Sequence, residues 1–465
     1  MREDKRERAL RTQSIPKLLL KMSGPAIVAM LVMSLYNFVD AIFMGMLGTH
    51  ALGAATIGYP YFIFLTSLGL MLGIGGASYQ SRLMGARQKD QAEKTVAVVI
   101  ISGIALGLIT TALTAPFPGA IARVCGATDD LLALSSEYIF ILALGAVFPV
   151  VSMCLNNLLR GEGSALYSLI GMGIGSILNI ALDPLFMFTF GLGVKGAAIA
   201  TVISQAVGFF ILISYYLRRK TVNEFHFRQF KPSREIYREI LKIGVPAFLQ
   251  QLLTTVVASL MNYLGGNIGD YVVAAVGGFN RIIFLGFAVI MGFGQGLQPV
   301  IGYNYGAQQF HRVKKAIWTA VAYAGAFCTL LGVACLVFPE SLARVFSDDP
   351  LVISTIGTGL YWFGWVWPVS SLFFVFQTLF GALGKSPQAI ALSVTRQGIF
   401  LIAFLFILTP LLGATGLMSS FAAATLLASV LAVALFIPVY RGIQKHAVQP
   451  EAAGRLAPLE EPAEN

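Results

Sequence analysis

Two acidic side chains stand where the sequence leaves little water to solvate them. Asp40 lies in the apolar run from Ser23 to Leu47, and Asp183 lies in NIALDPLF, inside a second run of the same kind. A charged side chain at the middle of a bilayer costs roughly 2.5–3.5 kcal/mol even on the gentlest insertion scales, so an acid there calls for a partner or a ligand. Each sits about five residues past the centre of its run, ~7 Å toward the same side at about 1.5 Å rise per residue. Asn179 precedes Asp183 by one helical turn on the same face. Thr201 and the phenol of Tyr138 fall at about the same depth in runs of their own. Two carboxylates, an amide oxygen and a hydroxyl are hard ligands of the kind a Na⁺ ion takes. Two carboxyls close together out of water resist double ionisation, which equally suits a proton that loads and leaves. Pro184 removes one intrahelical hydrogen bond and frees the carbonyl of Ile180. A purely structural role, with each acid bonded to Asn, Thr or Tyr, would need two such costly groups at one level.

The elements that must carry these residues follow from composition. Of 465 residues, 57% are hydrophobic and 12% charged, and the mean hydropathy is +0.77, which is the signature of a polytopic membrane protein. Runs of about 20 apolar residues between polar breaks predict twelve membrane-spanning helices. Their approximate bounds are 23–47, 56–81, 95–117, 132–155, 166–190, 193–217, 242–265, 272–301, 316–338, 352–378, 388–412 and 414–440. The first run is too long for a secretory signal and lacks a small-residue cleavage site, so it is expected to stay as a span. With the N-terminus inside, the outer loops hold only Arg123, Lys195 and Arg344 of the 32 Lys and Arg, and Arg281 and Arg396 alone fall within spans. That asymmetry places both termini in the cytoplasm and explains the net charge of +10 as topology, leaving no call for a nucleic-acid partner. Cys125, Cys154, Cys328 and Cys335 form no CxxC pattern and the four histidines are scattered, so no metal centre is expected beyond an alkali ion.

The chain also repeats itself. At an offset of 221, Pro25 to Lys94 aligns without a gap on Pro246 to Lys315, with glycines matched at Gly45/Gly266, Gly48/Gly269, Gly73/Gly294, Gly75/Gly296 and Gly85/Gly306. Gly163 meets Gly384, and after a one-residue slip Gly193 and Gly196 meet Gly413 and Gly416. Six spans per copy is an even number, so the copies are parallel and related by a pseudo-two-fold axis along the membrane normal. The fold class is therefore all-α, two six-helix lobes around a central cavity. The expected organisation is an inner arm over 1–16, an N-lobe over 17–217, a cytoplasmic linker over 218–241, a C-lobe over 242–441 and a disordered tail over 442–465. Glycine strings such as Gly69, Gly73, Gly75 and Gly76 lie in apolar helices and read as close helix packing, not as phosphate loops. In the second copy Asp40 becomes Met261, Asn179 becomes Phe400 and Asp183 becomes Phe404, so the oxygen layer belongs to one lobe only.

The order and spacing of YNFVDAIFMG in the first span, MGA after the second, GA after the eighth, RGEG at Arg160 to Gly163, NIALDP in the fifth and TRQG in the eleventh resemble the bacterial MATE (multidrug and toxic compound extrusion) family. The resemblance runs from Lys17 to Arg441 and is strongest to the branch whose coupling site lies in the N-lobe. It implies export of amphipathic, often cationic compounds in exchange for H⁺ or Na⁺, with Asp40, Asn179, Asp183 and Thr201 as the coupling residues and no organic cofactor. It further implies a multi-pass protein of the bacterial inner membrane, no catalytic residues, and small drug-like molecules and lipid as partners, with no obligate protein partner. Other branches place acids in the seventh and tenth spans; here the seventh has Gln250 and Gln251 and the tenth has none.

Tyr36, Asn37, Tyr138, Asn156, Asn157 and Arg281 are the candidate substrate contacts, and Pro25 and Pro184 the candidate hinges, although Pro25 also fits a helix-start proline. Two readings stand for Arg281 and Arg396: they line the cavity and favour anionic or zwitterionic cargo, or they satisfy carbonyls and a nearby Gln or Asn between helices, the second being the expectation above all for Arg396. The alternative function is a lipid-linked oligosaccharide flippase of related fold, whose cavity would need more basic residues than these two. An intramembrane aspartyl protease lacks its GxGD context, and a major-facilitator transporter lacks its loop signature in RLMGARQKDQ.

Overall fold

Apolar stripes at helical spacing explain why the spans begin earlier than hydropathy alone suggests. In the computed structural model, which describes residues 5–218 and 220–454, with the side chains of Lys5, Asn37, Ala41, Thr49 and 446–454 outside the description, the first span is the helix Ile15–Met46. Leu18, Leu19 and Met22 are buried against the second lobe, while Lys21 stays exposed. The seventh span begins at Arg234 and takes over the last third of the expected linker. Ser233 caps it by accepting from the Ile236 N–H at 3.2 Å, and Ile236, Ile240 and Ile243 form the buried stripe that extends it.

Among the described residues ten helices are long and apolar enough to cross a membrane, and Asp129–Leu144 with Val147–Gly161, bent by 53°, make an eleventh when taken as one span. The helix from Ser386 to Lys445 is broken at Gly413 (φ 59°, ψ −134°), a backbone geometry that glycine alone adopts readily, which supplies the twelfth crossing. The last helix continues to Gly454, into the segment expected as tail, and residues 455–465 lie outside the described residues. Among the described residues the regular structure is entirely helical. Pro25 and Pro246 are interior to their helices, which begin at Ile15 and Arg234, so the helix-start reading of Pro25 does not hold.

The two lobes meet through the first span against the eighth and the second against the seventh, pairs that the repeat exchanges. The closest approaches are reciprocal. A Cβ on Gly85 would lie 2.0 Å from the Tyr303 carbonyl oxygen, and one on Gly306 would lie 2.0 Å from the Arg82 carbonyl oxygen. Ser78 Oγ donates to the Gly381 carbonyl at 2.5 Å, Ser23 Oγ donates to the Phe293 carbonyl at 3.1 Å, and Arg82 pairs with Glu239 at 3.0 Å. These contacts all fall in the half of the bundle next to the basic loops, so the lobes are shut together at that end.

The arm helix Lys5–Thr12 lies across the same end. Arg6 donates to Ser164 Oγ at 3.0 Å, to the Tyr215 hydroxyl at 2.6 Å and to the Lys220 carbonyl at 3.0 Å, while Arg312 of the second lobe donates to the carbonyls of Leu10 and Gln13 at 3.1 and 2.8 Å. Beneath it Glu162, in the turn after the fourth span, is fully buried and accepts from Ser164 Oγ at 2.9 Å and from the Asn223 N–H at 3.3 Å. Burial pushes its carboxyl up to about 7, against the opposing pull of Ser164, the backbone N–H groups and Arg6. A group raised in the fold contributes stability that is complete below the ordinary carboxylate range and is lost as the pH rises through about 7. The purified protein is therefore expected to melt at a lower temperature at about pH 8 than at about pH 6, and Glu162→Gln to show a smaller difference. Equal pH dependence in the two proteins would contradict this assignment.

Candidate functional site

The fifth span supplies the centre of the site. It is α-helical from Ala165 to Pro184 and then widens to a π-helix over Leu185–Thr189, directly after the proline that cannot donate to the ladder. Asn179 Nδ2 donates to Asp183 Oδ1 at 3.2 Å and reaches Thr201 Oγ1 at 3.5 Å. Asp183, Asn179 and Thr201 are all buried, and the half-buried Asp40 comes within hydrogen-bonding range of Asp183. The four residues thus form one cluster across the first, fifth and sixth spans. Donors run short within it: Asp40 Oδ1, Asn179 Oδ1 and Asp183 Oδ2 are buried without a hydrogen-bond partner. Three acceptors turned into one layer form a set that a proton, a cation or a donating water can satisfy.

Tyr36 and Tyr138 stand within electrostatic range of both acids and are buried. The ring of Tyr138 occupies space that exists only because residue 58 is glycine, where a Cβ would lie 2.3 Å from the ring. A cavity opens beside the cluster inside the N-lobe. Tyr36, Asn156, Asn179 and Thr201 line it together with Thr66, Ser152, Met153, Gly175, Ser176, Ser204 and Gln205. Ser152 and Ser204 are buried there with hydroxyls that have no partner.

The other candidates lie elsewhere. Asn157 is absent from the cavity lining; its amide donates to the Met153 carbonyl at 2.8 Å and accepts from Arg160 at 3.3 Å. Arg160 in turn donates to Gln295 of the second lobe at 2.5 Å, so this pair ties the lobes together. Arg281 is exposed on the eighth span, away from the N-lobe cavity. The Asn37 side chain lies outside the described residues. Arg396 does not bond the carbonyls and amides expected of it. Its guanidinium sits among four phenylalanine rings, with Nε and Nη1 unpartnered. Linear spacing gave no sign of Gly58, Thr66, Ser152 or Gln205; small and hydroxyl residues in apolar helices look alike until the helices are packed.

Comparison with known proteins adds the family. The MatE family model matches residues 25–185 and again residues 246–407, so its two matches begin 221 residues apart, the offset of the internal repeat. The chain belongs to the MATE family. It is 30% identical over 425 residues to the multidrug export protein MepA of Staphylococcus aureus strain N315, covering 91% of this chain and 93% of that one. The corresponding protein of Staphylococcus haemolyticus is also 30% identical, over 88% and 90% of the two chains. Among solved structures, this MATE chain superposes with a TM-score of 0.90 on a MOP superfamily transporter from Pyrococcus furiosus, at 27% identity over 96% of this chain and all of that one. An outward-facing multidrug resistance MATE transporter gives 0.89 at 27% identity, over 95% and 99%.

The fit between Gly58 and Tyr138 yields a test. Gly58→Val is expected to lower the melting temperature by pushing the ring out of the layer, and adding Tyr138→Ala to cost less than the sum of the two changes, a coupling of about 1–3 kcal/mol. Strict additivity of the three melting shifts would show that the ring does not depend on that glycine.

Proposed function

We propose that this protein is a secondary multidrug antiporter that exports small amphipathic, cationic compounds in exchange for inward H⁺ or Na⁺ by alternating access. The observation that carries the reading is the set of buried, unsatisfied oxygens of Asp40, Asn179 and Asp183, beside an inner cavity of the same lobe that Asn179 lines. Export of drug-like cargo is supported by the staphylococcal relatives, which carry the name multidrug export protein.

With the basic loops in the cytoplasm of a bacterial inner membrane, the lobes are shut inside and the carboxyl layer is reached from outside. In that state the ionised Asp40 and Asp183 hold a cationic amphiphile whose apolar body rests on Met33, Tyr36, Phe62 and Met153 of the lining. Entry of a proton or Na⁺ at the same carboxyls supplies the missing partner, removes the attraction for the organic cation and releases it. Either ion fits the layer: a proton can be shared between the carboxyls, and Na⁺ would be held by Asp40, Asn179, Asp183 and Thr201. Pro25 and the Pro184 junction are the places where the first and fifth spans can bend without breaking a full ladder. The flippase alternative loses ground, because Arg396 is enclosed by rings and Arg281 is left as a lone basic residue for a pyrophosphate.

Ethidium efflux from whole cells, with ΔpH and a Na⁺ gradient imposed separately, tests the proposal. Wild type is expected to transport under one gradient, which identifies the ion, and Asp40→Asn to lose at least about tenfold in rate, the equivalent of ~1.4 kcal/mol. Full transport by Asp40→Asn under that gradient would make the acid structural. No ethidium movement by well-expressed wild type would instead favour lipid-linked cargo.

A further inference from the structure

The two lobes differ most where the repeat would make them most alike. Arg396 is 3% exposed, on the π-helical stretch Thr395–Leu401 of the eleventh span. Its guanidinium carbon lies 5.0 Å from the ring centre of Phe373, 5.6 Å from Phe374, 5.8 Å from Phe287 and 5.9 Å from Phe421. Nε and Nη1 have no hydrogen-bond partner, and no carboxylate among the described residues pairs with this cation. The aromatic faces are what hold it.

The repeat gives each wall of this cage a counterpart. At the offset of 221, Phe287 falls on Thr66, Phe373 on Ser152 and Phe374 on Met153, and with the one-residue slip Phe421 falls on Thr201. All four counterparts line the N-lobe cavity. Arg396 itself falls on Gly175, which lines that cavity too. Three helices therefore build the walls of the same pocket in both lobes. In one lobe glycine leaves it open, and in the other an arginine fills it.

We propose that Arg396 is a tethered occupant: its guanidinium permanently fills the C-lobe image of the N-lobe cavity and locks that lobe, and its removal uncovers a pocket that binds free guanidinium ions. Arg396 is a positioning residue that fixes the packing of the eighth, tenth and twelfth spans around it. Only the N-lobe pocket is then free to fill and empty, a consequence that rests on the antiport reading, whereas the caged cation and its latent site do not.

The test uses the purified full-length chain. Arg396→Gly is expected to melt below wild type, and millimolar guanidinium or methylguanidinium to raise its melting temperature toward the wild-type value, with no effect on wild type. Urea, a neutral molecule of the same shape, is expected to rescue neither protein. Arg396→Met, which keeps the volume without the charge, is expected to melt below wild type and to gain nothing from guanidinium, because its pocket is filled. Should Arg396→Gly fail to fold, rescue of its folded yield by guanidinium during expression and purification is the readout. Equal effects of urea and guanidinium, no rescue in either assay, or an Arg396→Met protein as stable as wild type would overturn the proposal. None of these readouts involves Asp40, so a structural Asp40 would leave them standing.

Discussion

The structure turns on a shortage of hydrogen-bond donors. Two carboxyls and an amide oxygen are brought together inside an apolar lobe, and the groups around them, Asn179 Nδ2 included, cannot satisfy every acceptor. An enzyme core would resolve such a conflict with an arginine or a ring of N–H groups. Here it is left unresolved beside a cavity lined by further hydroxyls. In the antiport reading, that deficit is the place for an ion that comes and goes.

The repeat explains how a lobe carries that deficit without losing its shape. The second lobe has the same helices and the same interface glycines, with Met261, Phe400 and Phe404 where the first has oxygens. Its pocket is closed by a cation that belongs to the chain, and its core is a continuous aromatic and aliphatic cluster. The N-lobe core is divided into two smaller clusters. One lobe is thus a packed partner and the other a container, and both rest on the reciprocal contacts of Gly85 and Gly306.

Much of this was legible in the chain. The twelve spans, the parallel duplication and the shared depth of Asp40 and Asp183 follow from hydropathy, an offset and a helical rise, because lipid constrains span length and the cost of charge so tightly. Helix starts were less legible, since Leu18, Leu19 and Met22 are too few for a hydropathy window yet bury completely once a second lobe lies against them. The cavity was not legible at all. Its walls come from five spans, and whether Ser152 faces a void while Asn157 faces Arg160 depends on the rotation of a helix bent by 53° against its predecessor. Arg396 misled for a related reason: a sequence shows its neighbour Gln397 but not the four rings brought to it from other spans.

In the antiport reading an organic cation and the coupling ion compete for one carboxyl layer. The most direct measurement is the dissociation constant of tetraphenylphosphonium for the purified full-length chain as pH and Na⁺ concentration are varied independently. Acidification or Na⁺ is expected to weaken binding to wild type, and the dependence to disappear when Asp40 and Asp183 are both replaced by Asn. Binding to wild type that ignores both ions, or a double variant with unchanged ion dependence, would contradict that reading.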